Sequence, residues 1–287
     1  MRLWTKLPAL LLLCATFSLT AAEVKPIPVK KGKKEKATET AAKANPEAPQ
    51  HTGEYVKPDW VSHGVWEHLQ PYLLPLDHPL KPTLDKMFRA ARITENKATF
   101  IGAGFLFHDR VGRRRVIARH PKMVGYLIKT YLDTHKTSVE DGLIWLNRIK
   151  GAKQFQNSID KHGYSHIMKV PRKWLYPIPG RRSRSPYPKG YALIVEDMNT
   201  LSHHANYQKY ATEVTKEQLQ AIYVMLTENK AFDCIHIFNI PFCKDGKIAF
   251  IDTEGLNADH HPISYWKMTD KIPHHLRSYW EKLYKGN

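Results

Sequence analysis

The chain has 287 residues and a formal net charge of +17, with 44 Lys and Arg against 27 Asp and Glu. That length can bury a core without covalent staples, and three cysteines are too few for a disulfide scaffold. A mean hydropathy of −0.49 argues for a water-soluble body, and the absence of H-E-x-x-H, C-x-x-C and G-x-S-x-G patterns argues against zinc enzymes and serine hydrolases.

Residues 1–22 read as a cleaved secretory signal. Arg2 and Lys6 precede an apolar stretch from Leu7 to Leu19, and Thr20-Ala21-Ala22 supplies small residues for cleavage after Ala22. The stretch is shorter than the roughly 20 residues of a membrane-spanning helix, so the expected destination is export, to a periplasm, a lumen or the outside. Residues 23–54 read as a disordered basic tether, because Lys25, Lys30, Lys31, Lys33, Lys34 and Lys36 stand among Pro, Ala, Thr and Glu without apolar periodicity. Its charge suits an anionic partner or an anionic membrane surface; export argues against nucleic acid as the partner.

From Tyr55 onward apolar and aromatic residues become frequent, and the pattern predicts one α+β domain over 55–287. Helical pieces are expected between 65 and 93, punctuated by Pro71, Pro75, Pro79 and Pro82, with Leu84, Met87, Phe88 and Ala91 on one face. Strands are expected over Thr99 to His108, Arg115 to Arg119 and Gly125 to Leu132, forming a small antiparallel sheet. Ser138 with Asp141 predicts a capped helix carrying Leu143, Leu146, Ile149, Ala152 and Ile159. Two more strands follow, His166 to Val170 and Tyr191 to Glu196, separated by a Pro-, Arg- and Ser-rich loop from Pro177 to Pro188. Thr215 with Gln218 predicts a second capping box, opening a helix with Leu219, Ile222, Met225 and Leu226. Then come an apolar run from Phe232 to Phe242, a turn at Lys244-Asp245-Gly246-Lys247, and a strand from Ile248 to Ile251. Trp266, Leu276, Trp280 and Leu283 are expected to pack near the end.

The hairpin carries the chemistry. It sets Asn239 before one strand and Asp252 after the other, so their oxygens are expected to converge on one hard cation. Cys234 and Cys243, inside the same stretch, are candidates for a bridge.

On these residues the chain resembles the protein-kinase-like superfamily, in its compact secreted branches. The resemblance is carried by His236-x-x-Asn239, the hairpin, and Ile251-Asp252, and it spans about residues 95–256. It implies a two-lobed fold with a small antiparallel-sheet lobe over about 95–196 and a reduced helical lobe over about 197–287. It further implies Mg and ATP as cofactors, with Asn239 and Asp252 on the metal, Lys129 on nucleotide phosphates, and the backbone from Glu196 to Met198 against the base. The family's base position, five residues before Asn239, is Cys234 here; Asp233 precedes it, and His236 and Glu254 are the substitutes. Gly102-Ala103-Gly104 falls short of a full glycine-rich loop, and the helix after Ser138 offers only Glu140 or Asp141 as the carboxylate for Lys129. About thirty residues follow Gly255, too few for the peptide-binding helices of a conventional protein kinase. The two readings left open are an Mg-ATP-dependent phosphotransferase with an unknown acceptor and an inactive pseudokinase-like module that binds an anionic partner through its basic surface.

Overall fold

A computed structural model describes residues 54–108, 115–180, 183–232, 234–256 and 262–286. The expected signal segment, almost all of the tether, and Asp233 lie outside the described residues.

The fold is mixed α+β, organised on a five-stranded antiparallel sheet. Its strands are β1 (Leu106–Phe107), β2 (Arg115–Arg119), β3 (Tyr126–Tyr131), β5 (Lys173–Pro177) and β6 (Tyr191–Glu196), in the order β1-β2-β3-β6-β5. A separate two-stranded parallel pair joins β4 (Met168–Lys169) to β7 (Ile248–Ala249).

The register sorts side chains by the period-two rule of strands. Val116, Ala118, Ile128, Ala192, Ile194 and Tyr176 point to one face. There they join one apolar cluster with Leu84 and Phe88 of α2 (Lys81–Ala90) and Phe100 of α3 (Lys97–Gly102). On the opposite face lie Leu175, Leu193 and Val195, which pack with Trp145 and Leu146 of the long helix α4 (Asp141–His162) and with α1 (His63–Leu69). A third cluster gathers α5 (His203–Glu213), α6 (Lys216–Glu228), α7 (His274–Lys285) and the segments on either side of the Gly246 turn, with Leu219, Ile222, Trp280 and Phe250 fully buried. Among the described residues no helix is long and apolar enough to cross a membrane.

Local chemistry explains where the elements depart from expectation. Thr99 belongs to α3 rather than to a strand, because Asn96 Oδ1 accepts the Thr99 N–H at 3.0 Å and the Thr99 hydroxyl accepts the Asn96 N–H at 3.1 Å. This reciprocal cap outweighs the β-propensity of the run, and only Leu106–Phe107 remains strand. α4 starts at Asp141, not Ser138: the Asp141 carboxylate accepts the N–H groups of Gly190 and Tyr191, tying the helix start to β6. The helix stops where Gly163 takes a left-handed φ of +69°, the C-terminal geometry glycine tolerates best. The Thr215–Gln218 box forms as expected. The described residues of the run 232–242 do not form a strand. The His236 carbonyl accepts from Asn239 and Ile240, winding a tight turn, and only Phe242 bridges back to Ile248.

Candidate functional site: a cationic cleft beside Asp252

The hairpin forms around Gly246, whose φ of +83° lets the chain reverse. The Cys243 N–H donates to the Lys247 carbonyl, Ala249 to Pro241, and Ile251 to Asn239 at 3.0 Å. The Asn239 backbone is therefore brought beside Ile251, the residue before Asp252. Cys234 and Cys243 are both buried, and the expected bridge between them is not formed. The Cys234 thiol donates to the Asp252 carbonyl at 3.0 Å, so the family's base position faces backbone rather than open space.

Asp252 meets α4. Along that helix Trp145, Arg148, Gly151, Ala152, Phe155 and Ile159 form the buried stripe, and Arg148 is only 2% exposed. Its guanidinium bonds the Asp252 carboxylate at 2.5 Å through Nη1 and the Glu254 carboxylate through Nη2. Gly151 permits this approach: a Cβ there would lie 2.0 Å from the Thr253 carbonyl oxygen. The Thr253 hydroxyl donates to the Arg148 carbonyl at 2.6 Å, closing the segment onto the helix.

The sheet supplies further cations to the same place. Register puts Arg115, Ile117 and Arg119 of β2, Lys129 of β3, and Lys173 and Leu175 of β5 on one face. Arg115 lies 3.6 Å from Glu254, and Lys173 donates to the Thr253 hydroxyl at 2.6 Å. Lys129 is half-buried, and its ammonium has no hydrogen-bond or ion-pair partner among the described residues. Burial pushes the Lys129 ammonium down to about 8, against the pull of Asp252 and with added repulsion from Arg148. Lys173 is pushed well below the ordinary lysine range by burial and then by Lys129 and Arg148. Burial raises the Asp252 carboxyl, but Arg148, Lys129, Lys173 and Arg115 together hold it below the usual carboxylate range.

Beside this cluster opens a cleft of about 540 Å³, bounded by His108 and Arg119 of the sheet, Leu201 and His203 after β6, and Phe238 and Ile251 of the hairpin region. The 196–198 segment is not among the residues that line this cleft. The Asp197 N–H donates to the Gly125 carbonyl, its carboxylate pairs with Arg119 at 2.9 Å, and the Met198 carbonyl accepts from Lys169 at 3.3 Å. The Glu196 side chain is taken by Arg172.

The structure thus gathers Lys129, Asp252 and, through its backbone, Asn239. His236 is exposed: its ring packs on Phe238 at 4.9 Å, and Phe238 stacks on His203 at 4.4 Å. Burial, with Lys271, Lys267 and His203 nearby, lowers the His236 imidazole. Glu140 and Asp141 do not reach Lys129; Asp141 serves the β6 backbone. Arg148 and Lys173 are the site residues that sequence reasoning missed. The signal for Arg148 was its place in the buried stripe of α4, three residues after Trp145 and four before Ala152, where an arginine needs an internal anion. Among the described residues no group of three or more His, Cys, Asp or Glu side chains converges as a metal site. No family model and no curated protein matches this chain.

Proposed function

We propose that this chain is an exported, protein-kinase-like binding module whose phosphotransfer centre is closed. Support for the kinase-like reading comes from the order of its parts: Lys129 on the third strand of a five-stranded sheet, a long helix after it, a connecting segment after β6, and a hairpin leading into Asp252. The observation that carries the closed state is Arg148. A helix that in the resembled family would present a carboxylate to the strand lysine here presents a guanidinium to Asp252 and Glu254. Mg²⁺ needs oxygen ligands free of competing cations. At Asp252 it would displace Arg148 while lying near Lys129 and Arg115, so the donor set does not suit it.

The second reading, Mg-ATP-dependent phosphoryl transfer with Asn239 and Asp252 on the metal, is favoured by the unpartnered Lys129 and the placement of Asn239 beside Asp252. The two are separated by incubating the purified chain with labelled ATP and Mg²⁺ or Mn²⁺ and following hydrolysis and protein labelling. Closure predicts neither product above background. Turnover that Asp252→Ala abolishes would overturn it.

A further inference from the structure

We infer that the chain rests on anionic lipid membranes through an exposed aromatic and basic face built from Trp266, Lys267, Lys271 and Tyr207. No residue of that face belongs to the Asp252 cluster, so this goes beyond the kinase-like reading and does not rest on it.

The face starts from a short 3-10 helix, Tyr265–Lys271. Its inner side is fixed by Met268, which is fully buried, and by the Tyr265 ring, which stacks on Tyr284 at 5.5 Å. With three residues per turn, Tyr265, Met268 and Lys271 share one side, and Trp266 and Lys267 project from the others. Trp266 is 66% exposed, more than any other Trp, Tyr or Phe among the described residues. An indole left in water forgoes the burial of a large apolar surface. α5 lies against the same helix, where the Lys271 ammonium stands 5.8 Å from the exposed Tyr207 ring. The 236–238 turn adjoins both. Burial and then Lys271, Lys267 and His203 lower the His236 imidazole, so His236 lies among these side chains.

The charge of the face is positive. Its acids are already answered: Lys271 holds Asp270 at 2.6 Å, and Lys209 holds Glu213 at 2.5 Å one turn along α5. The exposed Lys267 ammonium has no hydrogen-bond or ion-pair partner among the described residues. Charge alone would suit any polyanion. The aromatic residues select the membrane, because Trp and Tyr settle at the bilayer interface with their rings at headgroup level. Lys267 and Lys271 then meet the anionic headgroups beside those rings, while a highly charged soluble polymer would gain little from the indole. The six lysines from Lys25 to Lys36 add long-range attraction to the same lipids. Among the described residues no helix can cross the bilayer, so the contact is peripheral.

The test is co-sedimentation of the full chain, at physiological salt, with vesicles of phosphatidylcholine and of an equimolar mixture with phosphatidylglycerol. The expected result is binding to the mixed vesicles alone, weakened about fivefold by Lys267→Gln and about tenfold by Trp266→Ser. Tryptophan emission should shift to the blue on binding, and Trp266→Phe should remove that shift. Both substituted side chains are exposed, and unchanged thermal unfolding of the variants guards against misfolding. Failure to bind the mixed vesicles would overturn the inference. Binding that neither Lys267→Gln nor Trp266→Ser weakens would do the same, because the basic run near the start of the chain would then be the attachment. A blue shift that persists in Trp266→Phe would show that another aromatic residue enters the lipid, which also sinks it. Binding to soluble polyglutamate that Trp266→Ser weakens as much as vesicle binding would replace the membrane with an acidic protein partner. None of these measurements reads ATP turnover, so the closed centre stands or falls separately.

Discussion

The two faces of the central sheet come from the same strands and obey the same alternation, yet they are built to opposite ends. One face is Val116, Ala118, Ile128, Ala192 and Ile194, closed against α2 and α3 with almost no water contact. The other begins as a core, with Leu175, Leu193 and Val195 against Trp145, and ends in Arg115, Lys129 and Lys173 around Asp252 and Glu254. Burial on the first face is favourable by itself, at about 25 cal/mol per Å² of apolar surface. Holding cations in the second opposes folding unless partners are present. A sheet that keeps such a face has a use for it, and the apolar face supplies the stability that tolerates it.

The contrast can be broken most strongly on the apolar side. Phe100 is fully buried among Phe105 and Phe107, and Phe100→Ala should cost about 3–5 kcal/mol in urea-unfolding stability while leaving the chemical shifts of Asp252 and Glu254 unchanged in the remaining folded protein. Shifted signals for those carboxylates would mean that the faces are not independent. Gly151→Ala should act on the junction of the second face with α4. The new methyl group meets the Thr253 carbonyl, so stability should fall by about 1–3 kcal/mol as the 252–254 segment is displaced from Arg148. Unchanged stability together with unchanged chemical shifts for Asp252 and Glu254 would show that the close approach is not needed.

A third test sharpens the comparison through pH. Lys129 titrates near 8 in the folded protein and at the ordinary 10.5 when exposed. Between those values the unfolded chain binds a proton the folded one lacks, so this group makes stability rise with pH over that window. Lys129→Met should therefore be more stable than the parent at pH 7, with the advantage shrinking from pH 8 to 10.5. A difference that stays constant over that range would show that Lys129 is not desolvated.

Much of this frame can be read in the sequence because it depends on neighbours along the chain. The Thr215–Gln218 cap, the turn at Gly246, the strands 115–119 and 191–196, and the approach of Asn239 to Asp252 all follow from side chains within a few residues or from one hairpin. Where two local signals competed, the one with the better hydrogen bonds won: the Asn96–Thr99 cap turned an apparent strand into α3. β5 escaped notice because Pro171 and Pro177 bracket a short run whose strand character comes from pairing with β6.

The charge pattern of the site is a different matter. The sequence alone determined the alternation along each strand and the helical spacing along α4, which follow from the periods of 2.0 and 3.6; the register of β2 against β3 put Arg115 and Lys129 on one face. Only the tertiary structure decided which anion Arg148 meets. The choice rests on Asp252 and Glu254, about a hundred residues further on, and on the missing side chain at Gly151 that lets their backbone touch the helix. Periodicity specifies which way a side chain points, but a charge acts on what lies within a few ångströms of it, and long-range packing sets those distances.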